Sequence, residues 1–542
     1  MKRKIFTCLM SVVMAVVFLA GCGSSDTSEK TVIALNQDAA VVTIAAGKLR
    51  GYVDGSTYIF KGVPYAQADR FEEPQEVDAW EGIRDAQVYG DICPQKDASA
   101  GLSDILVEHR FWPQANDESK IQTLNIWTQS IDASEAKPVI VWLHGGGYES
   151  GASNFQYAYD GTNMSSYGDV VVVSVNHRLN CLGYLDLSYY GDVYAQTENL
   201  GQKDLLAALQ WVQDNISSFG GDPNNVTLMG QSGGAGKVLT LMETPTADGL
   251  YDKVICESSG YRNVTKEDAC LIGKRTVELL GLTEDTIDQI RTVDYETLAA
   301  AANQAMSEIA AETGHTLSWS PVVGGSDIPE ERWINSSMED MAKDVPMIIG
   351  SVFSEGSSNA YLYVAGAGED KSALTEEEVD RRLVEKYGDM ADEVKQAFAE
   401  AYPNKPAADV LYMDTNTYRL TTLAILEARQ AQGASDTYSY VWYPEYPVMG
   451  GWLPWHCSEI PFFFHNLDKV RLAYGDTSNG EERLQEQVFE SLMSFVRTGD
   501  PNCEEMTAWP QYGKEHATMI FDYDSWVGED HDTELLNLVN NR

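Results

Sequence analysis

The chain has 542 residues, of which 44% are hydrophobic and 10% aromatic, so it can bury a large core. Its 82 acidic and 38 basic side chains give a formal charge of −44. This excess of acid argues against nucleic acid or an acidic membrane surface as a partner and is typical of a solubilising surface.

The first predicted elements are a secretory leader and a tether. Positions 2–4 are basic and positions 5–20 form an apolar run, the pattern of a signal peptide. The run ends Leu19-Ala20-Gly21-Cys22, which resembles the lipobox of bacterial lipoproteins and implies cleavage before Cys22 and lipidation of its thiol. We predict a signal peptide over 1–21, a lipidated cysteine with a flexible tether over 22–40, and a cell-membrane lipoprotein exposed outside the cytoplasm. An uncleaved membrane anchor is the alternative.

From residue 41 onward, short apolar strands alternate with helical patterns. Strands are predicted at 41–53, 57–62, 124–127, 137–144, 169–175, 226–229, 253–258, 345–352, 437–443 and 519–521. Helices are predicted at 204–216, 235–242, 266–280, 288–309, 374–402 and 481–498. This alternation predicts an α/β fold with a mostly parallel sheet, with edge strands at its two ends and a turn at 219–223.

The strand at 226–229 ends in Gly-Gln-Ser-Gly-Gly, a G-x-S-x-G motif centred on Ser232. Small residues two positions either side of the serine allow the tight strand-to-helix turn that exposes a nucleophile. Two other interpretations stay open at this point. An ordinary βα loop can carry the same letters, and residues 231–238 read Q-S-G-G-A-G-K-V, close to a phosphate loop. Gln231 replaces the first glycine of that loop and Val238 the magnesium-binding hydroxyl, which counts against it.

A serine nucleophile needs a histidine to accept its proton and a carboxylate to orient the histidine, in the chain order serine, acid, histidine. Glu355 follows the strand at 345–352, and active residues of such sheets lie where strands end. His456 follows the strand at 437–443 through a Gly- and Pro-containing loop. The other histidines after Glu355 are His465, the second choice, and His516 and His531 near the terminus.

The strand at 137–144 ends in His144-Gly-Gly-Gly147. Three glycines in a row leave backbone N–H groups free to point at a developing oxyanion, and the N–H of Gly233 can join them. We therefore predict an oxyanion hole formed by Gly146, Gly147 and Gly233. A plain glycine-rich turn is the alternative.

These motifs resemble type-B carboxylesterases, the cholinesterase-like branch of the α/β-hydrolases. The likeness extends through Cys93-Pro-Gln95, Phe219-Gly-Gly-Asp-Pro223, Ser354-Glu-Gly-Ser357, His456-Cys-Ser-Glu459 and Trp509-Pro510. It implies one α/β-hydrolase domain over 41–542, with helical insertions. It also implies Ser232 as nucleophile, Glu355 as acid and His456 as general base, without metal or cofactor.

Two positions depart from the family pattern. The family usually has Glu before the nucleophile and Ala after it, where this chain has Gln231 and Gly233. The family also commonly pairs the cysteine of C-P-Q with one at the position of Ile121, so the resemblance implies an unpaired Cys93.

The sequence thus predicts a serine hydrolase that cleaves small-molecule carboxylic esters through an acyl-enzyme. A non-catalytic binding or adhesion protein on the same fold is the alternative from another class, and an amidase or lactonase would use the same triad. The acyl and alcohol preferences depend on loops that the motifs do not define.

Overall fold

The computed structural model describes residues 40–95, 116–325, 327–330, 342–356, 370–434, 436–446, 451–470 and 480–540. The predicted signal peptide, Cys22 and the predicted tether up to residue 39 lie outside the described residues. All of the described residues belong to one compact unit.

The strands of the described residues are numbered in chain order. They are β1 (Val41–Ile44), β2 (Gly47–Arg50), β3 (Tyr52–Asp54), β4 (Thr57–Pro64), β5 (Ile83–Asp85), β6 (Thr123–Thr128), β7 (Lys137–Leu143), β8 (Val171–Val175), β9 (Gly221–Gln231), β10 (Lys253–Glu257), β11 (Val264–Thr265), β12 (Val322–Val323), β13 (Met347–Val352), β14 (Thr437–Trp442), β15 (Ala517–Phe521) and β16 (Trp526–Glu529).

The α-helices of the described residues are numbered in the same way. They are α1 (Gly161–Gly168), α2 (Asn180–Tyr184), α3 (Leu200–Asn215), α4 (Gly233–Met242), α5 (Lys266–Leu279), α6 (Tyr295–Thr313), α7 (Glu376–Tyr387), α8 (Ala391–Ala401), α9 (Tyr418–Ala431), α10 (Ile460–Phe463), α11 (Glu481–Thr498) and α12 (Thr533–Asn540).

Eleven of these strands form one twisted sheet in the order β16-β15-β14-β13-β10-β9-β7-β8-β6-β4-β3. The central run from β15 to β8 is parallel throughout, and antiparallel pairs occur only at the two ends, β15 with β16 and β8 through β6 and β4 to β3. The prediction of a mostly parallel sheet is confirmed, and the fold is that of an α/β-hydrolase.

The central strands read as unbroken apolar runs because both faces of the sheet are covered. Alternate side chains of β7 enter different cores: Val139, Val141 and Leu143 pack with α3 and α4, whereas Ile140 and Trp142 pack with α11. The hydrophobic layers on both sides hold the strand ends rigidly. The loops at those ends can therefore position functional side chains.

Four predicted elements differ from the structure, each for a local reason. The predicted helix at 288–309 is a 3₁₀ helix, Glu284–Thr292, followed by α6, because the Asp294 side chain accepts a hydrogen bond from Thr297 N–H and begins a new helix. The predicted helix at 374–402 divides at Gly388, whose φ is 60°. The predicted turn at 219–223 is shorter, since β9 already begins at Gly221. The edge strand predicted at 519–521 is covered by β16, which is the true edge.

Candidate active site

Ser232 occupies the turn between β9 and α4 with φ of 58° and ψ of −123°, outside the usual strand and helix regions. Its N–H donates to the Glu257 carbonyl of the neighbouring strand at 2.8 Å, and its carbonyl accepts from the Gly236 N–H at 3.0 Å. Both flanks of the turn are thus fixed by backbone hydrogen bonds, and the side chain stays partly exposed at the carboxyl end of β9.

The glycines two positions either side of Ser232 are required by close packing. A Cβ on Gly230 would lie 2.5 Å from the carbonyl carbon of Gly234, and a Cβ on Gly234 would lie 1.9 Å from the carbonyl oxygen of Leu143. Larger residues at either position would separate α4 from the ends of β7 and β9. The G-x-S-x-G pattern therefore marks a strand-to-helix turn here rather than an unconstrained loop.

Glu355 and His456 come together from the ends of two adjacent strands, β13 and β14. The Nδ1 of His456 lies 2.5 Å from Oε2 of Glu355, and the other carboxylate oxygen accepts from the Val352 N–H at 2.9 Å. Glu355 is buried, with 4% of its surface exposed. A carboxylate held in this way fixes both the tautomer and the orientation of the imidazole.

Two opposing effects act on the pKa of His456. Burial lowers it, while the charge and hydrogen bond of Glu355, with weaker contributions from Glu459 and Asp414, raise it, and the result lies above the ordinary value of 6.5. The imidazole is therefore a stronger base than a free histidine. A base of this strength suits the acceptance of a proton from a hydroxyl group.

The side chain of Gln231 lies against the imidazole of His456. Its amide nitrogen is 3.3 Å from Nε2 and 3.4 Å from Nδ1, and its amide oxygen accepts a hydrogen bond from Cys457 Sγ at 3.2 Å. The hydrogen bonds that link the described residues do not include one between Ser232 and His456. Such bonds are often long in free enzymes and shorten once substrate binds.

The glycine loop 145–147 lies next to Ser232 because β7 pairs with β9, with Leu143 opposite Gly230. A Cβ on Gly145 would lie 3.3 Å from the Cβ of Ser232, and one on Gly233 would lie 2.2 Å from the Gly147 carbonyl oxygen. Gly146 and Gly147 have φ of 91° and 66°, which side-chain-bearing residues rarely adopt. The structure thus places Gly147 in contact with Gly233, and Gly145 in contact with Ser232, so the glycine loop packs against the serine turn.

The other histidines after Glu355 have partners elsewhere. His465 Nε2 lies 2.9 Å from Glu486 and its ring stacks on Tyr167, while His516 lies near Asp530 on the surface. His531 is buried against Tyr402 and Trp526, with hydroxyl and ring contacts there. Among the histidines considered from the sequence, the structure brings His456 to Glu355.

Tyr418, the first residue of α9, is a site residue that sequence reasoning missed. Its ring lies 4.6 Å from the imidazole of His456, and its hydroxyl lies close enough to the Ser232 side chain to interact with it. Burial raises the pKa of Tyr418 to about 12, so it remains a neutral hydrogen-bonding group. No motif marks this tyrosine, because it reaches the site from a helix that packs there only in the folded protein.

Two buried carboxyl groups near the site, those of Glu459 and Glu257, were also not predicted from the sequence. Glu459 accepts a hydrogen bond from Ser258 at 3.2 Å, and burial with the nearby charge of Glu355 raises the pKa of Glu459 to about 8. Both carboxyl oxygens of Glu257 are buried without a hydrogen-bonding side chain or backbone group, and burial together with Glu459 raises the pKa of Glu257 well above its ordinary value. These two acids therefore retain protons at neutral pH.

Cys93 is a buried free thiol whose sulfur accepts the Leu179 N–H at 3.2 Å. Ile121 is fully buried in the same hydrophobic cluster. In the part of the chain that the structure describes, no group of three or more His, Cys, Asp and Glu residues could hold a metal ion. No helix among the described residues has the length and hydropathy to cross a bilayer.

Residues 38–530 match the Carboxylesterase family, and the chain belongs to it. The para-nitrobenzyl esterase of Bacillus subtilis (strain 168) is 32% identical over 502 residues, which cover 91% of this chain and 97% of that protein. The phenmedipham hydrolase of Pseudarthrobacter oxydans is 30% identical, with 88% and 93% covered.

A solved esterase from the anaerobe Clostridium hathewayi, described as able to hydrolyse aliphatic aromatic polyesters, is 43% identical to this chain. The two superpose with a TM-score of 0.85 over 92% of this chain and 98% of that one. Together with the family match, these relatives establish that the protein is a carboxylic ester hydrolase. The alternative of a non-catalytic binding protein is not supported.

Proposed function

We propose that Ser232, Glu355 and His456 form the catalytic triad of this esterase and that the N–H groups of Gly146, Gly147 and Gly233 form its oxyanion hole. The observation that carries the proposal is the 2.5 Å contact between His456 Nδ1 and Glu355 Oε2, beside a serine fixed on a strand-to-helix turn. Ser–His–acid sets with this chain order are typical of the fold.

In the acylation half of the reaction, His456 Nε2 takes the Ser232 proton as Oγ bonds to the ester carbonyl carbon. The carbonyl oxygen gains the negative charge, which the backbone N–H groups stabilise. When the intermediate collapses, the bond to the alcohol oxygen breaks and His456 gives that oxygen its proton. In deacylation, His456 takes a proton from water, the hydroxide adds to the acyl carbon, and the carboxylic acid leaves as Ser232 regains its proton.

The Ser232→Ala variant tests this assignment. We expect kcat/KM for a 4-nitrophenyl ester to fall by at least about a thousand-fold with the melting temperature little changed, since the lost hydroxyl is small and partly exposed. Ser174→Ala is the matched control, because it removes a buried hydroxyl from β8 that bonds only to Asn125 among the described residues. Comparable activity in Ser232→Ala and the control would overturn the assignment.

The substrate class proposed for the site is esters of aromatic carboxylic acids, including aliphatic aromatic polyesters. This proposal is supported by the 43% identity to the Clostridium hathewayi esterase over nearly the whole chain. We expect the purified protein to release soluble aromatic acid from such a polyester, with Ser232→Ala as the blank. Hydrolysis of short aliphatic esters alone would contradict the proposed substrate class. An amide of the same acid tests whether an amidase activity accompanies ester hydrolysis.

The proposed location is the outer side of the cell membrane, through a lipid on Cys22. The basic start, the apolar run and the sequence Leu19-Ala20-Gly21-Cys22 support it. Mass spectrometry of the protein from its native host should find a lipid-modified Cys22 as the first residue. An intact Met1 or an unmodified Cys22 would remove the proposal. The charge of −44 supports the further proposal that the protein binds no nucleic acid.

A further inference from the structure

Lys237 is a buried lysine on α4, five residues after Ser232, and none of its surface is exposed. Its Nζ donates a hydrogen bond of 2.9 Å to the carbonyl oxygen of His144. Of the residues that the structure describes, no carboxylate forms an ion pair with it. An unpaired lysine in a protein interior costs several kcal/mol unless the group neutralises, so its presence calls for an explanation.

Lys237 is the seventh residue of the sequence Q-S-G-G-A-G-K-V, which resembles a phosphate loop only in part. In the structure Lys237 does not face an open loop but turns back along the helix, as helical side chains do, toward the end of β7. The position four residues before it is Gly233, one turn earlier on the same face of α4. Lys237 therefore lies on the same face of α4 as Gly233, the residue that contacts the glycine loop.

His144 is the residue from which the glycine loop starts. At the start of the loop, His144 Nδ1 lies 2.8 Å from the Gly145 carbonyl oxygen. Farther along, the Gly146 carbonyl accepts from Ser150 N–H at 3.1 Å, and the Gln95 amide oxygen accepts from Gly151 N–H at 2.8 Å. Those bonds fix the far end of the loop. On the near side, the carbonyl of His144 is held by Lys237.

Burial lowers the pKa of Lys237 to about 7, so it is charged in only part of the molecules at neutral pH, while its Nζ remains a hydrogen-bond donor in either form. The rings of His144 and His177 stack at 5.2 Å, and burial followed by the charge of Lys237 lowers the pKa of both well below the ordinary value, so both are neutral. Arg178 is the other cation nearby, and its charge is paired with Asp204 through bonds of 2.7 and 2.9 Å. The ring of Tyr148 lies 5.9 Å from Nζ.

We propose that Lys237 is a positioning residue for the oxyanion hole: it holds the His144 carbonyl and thereby fixes the backbone of the glycine loop against Gly233. This inference rests on the proposed function, which places the oxyanion at Gly146, Gly147 and Gly233. Lys237 touches neither substrate nor serine and acts through His144. Its loss should therefore weaken binding of the transition state and leave ground-state binding largely intact.

Lys237→Met tests the inference because methionine keeps the length of the stem and removes the donor. We expect kcat to fall roughly ten- to a hundred-fold with KM within about three-fold of its original value, less than the loss of a direct oxyanion donor. Affinity for a trifluoromethyl ketone, which forms a tetrahedral adduct with the serine, should fall by the same factor. Lys237→Arg, which can still donate to His144, should recover part of that loss.

The matched control is Lys253→Met, which removes a buried lysine from the opposite, amino-terminal end of β10, where its Nζ bonds to Asn225. If Lys237→Met does not fold, Lys237→Gln provides the same comparison, because its amide ends short of His144. The inference is overturned if folded Lys237 variants match Lys253→Met in kcat and ketone affinity, or if only KM changes. An active Ser232→Ala would instead mean that the proposed function has failed.

Discussion

The amide nitrogen of Gln231 lies 3.3 Å from Nε2 of His456, so a neutral side chain contacts the imidazole where the family usually has a glutamate. Gln231 is fully buried, and its other amide atom is held by Cys457. The carbonyl dipole of an amide gives a much weaker field than a carboxylate. The free enzyme therefore has no fixed negative charge at this point.

Gln231→Glu should introduce that charge. At a separation of about 4–6 Å and an effective dielectric near 20, it is worth on the order of 1–3 kcal/mol after solvent is allowed for. The ratio of kcat/KM for a choline-like ester to that for a neutral isostere should rise several-fold, and the acid limb of the pH–rate profile should move to higher pH because protonated His456 is stabilised. If this ratio of kcat/KM values does not change at low salt, residue 231 does not determine the electric field that acts on the substrate.

The acid limb of kcat/KM should follow His456. Only the neutral imidazole accepts the serine proton, so activity falls as pH drops through its pKa, which lies above 6.5 because Glu355 outweighs burial. Glu355→Gln should lower the rate and move this limb to lower pH. His456→Ala should abolish acylation, while His465→Ala, which loses contacts with Glu486 and Tyr167 and none with Glu355, should keep the original profile.

Tyr418→Phe should lower kcat/KM roughly two- to ten-fold, the effect of losing one polar interaction with the proposed nucleophile while the ring stays on His456. Because the hydroxyl interacts with Ser232 rather than with the alcohol group of the substrate, the loss should be equal for a 4-nitrophenyl and an alkyl ester of the same acid. A loss confined to the alkyl ester would mean that Tyr418 acts on the leaving alcohol. Tyr194→Phe, which removes a hydroxyl bonded to Asp288, serves as the control.

Gly233→Ala should reduce kcat even though alanine is the usual residue of the family at this position. The added methyl group would lie 2.2 Å from the Gly147 carbonyl oxygen, so the glycine loop must move away from the serine turn. We expect a loss of roughly ten-fold or more in kcat, since one oxyanion donor typically contributes a hundred-fold or more. Gly249→Ala, whose methyl group meets open space at a φ of 76°, shows the cost of backbone strain alone, which Gly233→Ala does not incur because Gly233 lacks a positive φ.

Glu459 should make the fold less stable as pH rises. The folded protein keeps a proton on Glu459 up to a pKa of about 8, whereas the unfolded chain releases it near 4.5, so this stabilising contribution is complete below about pH 4.5 and is lost as pH rises toward 8. The melting temperature of Glu459→Gln should therefore vary less between pH 5 and 8 than that of the original protein. If the melting temperatures of the two proteins change equally with pH, groups other than Glu459 determine the pH dependence of stability.

The parts of the fold that the sequence predicts best are those that one local pattern determines. The run at 137–144 predicts β7 because both faces of the strand are buried, and the strand-end rule leads to Glu355 and His456 for the same reason. The prediction of one helix at 288–309 was wrong, because the Asp294 side chain caps the start of a new helix although the helical sequence pattern is continuous there. Tyr418, Glu459 and the role of Lys237 could not be predicted, since each depends on contacts between residues far apart in the chain.

The backbone conformation of Ser232 means that the sequence with the highest stability differs from the sequence with catalytic activity. A non-glycine residue at φ of 58° and ψ of −123° carries a conformational cost of about 1–3 kcal/mol, which the surrounding helix and strands must overcome. Glycine would meet no such cost at this position. Selection for heat resistance alone, without a test for ester hydrolysis, would therefore favour sequences in which glycine replaces Ser232, the proposed nucleophile. Thermostable variants of this esterase therefore need to be screened for activity at every round.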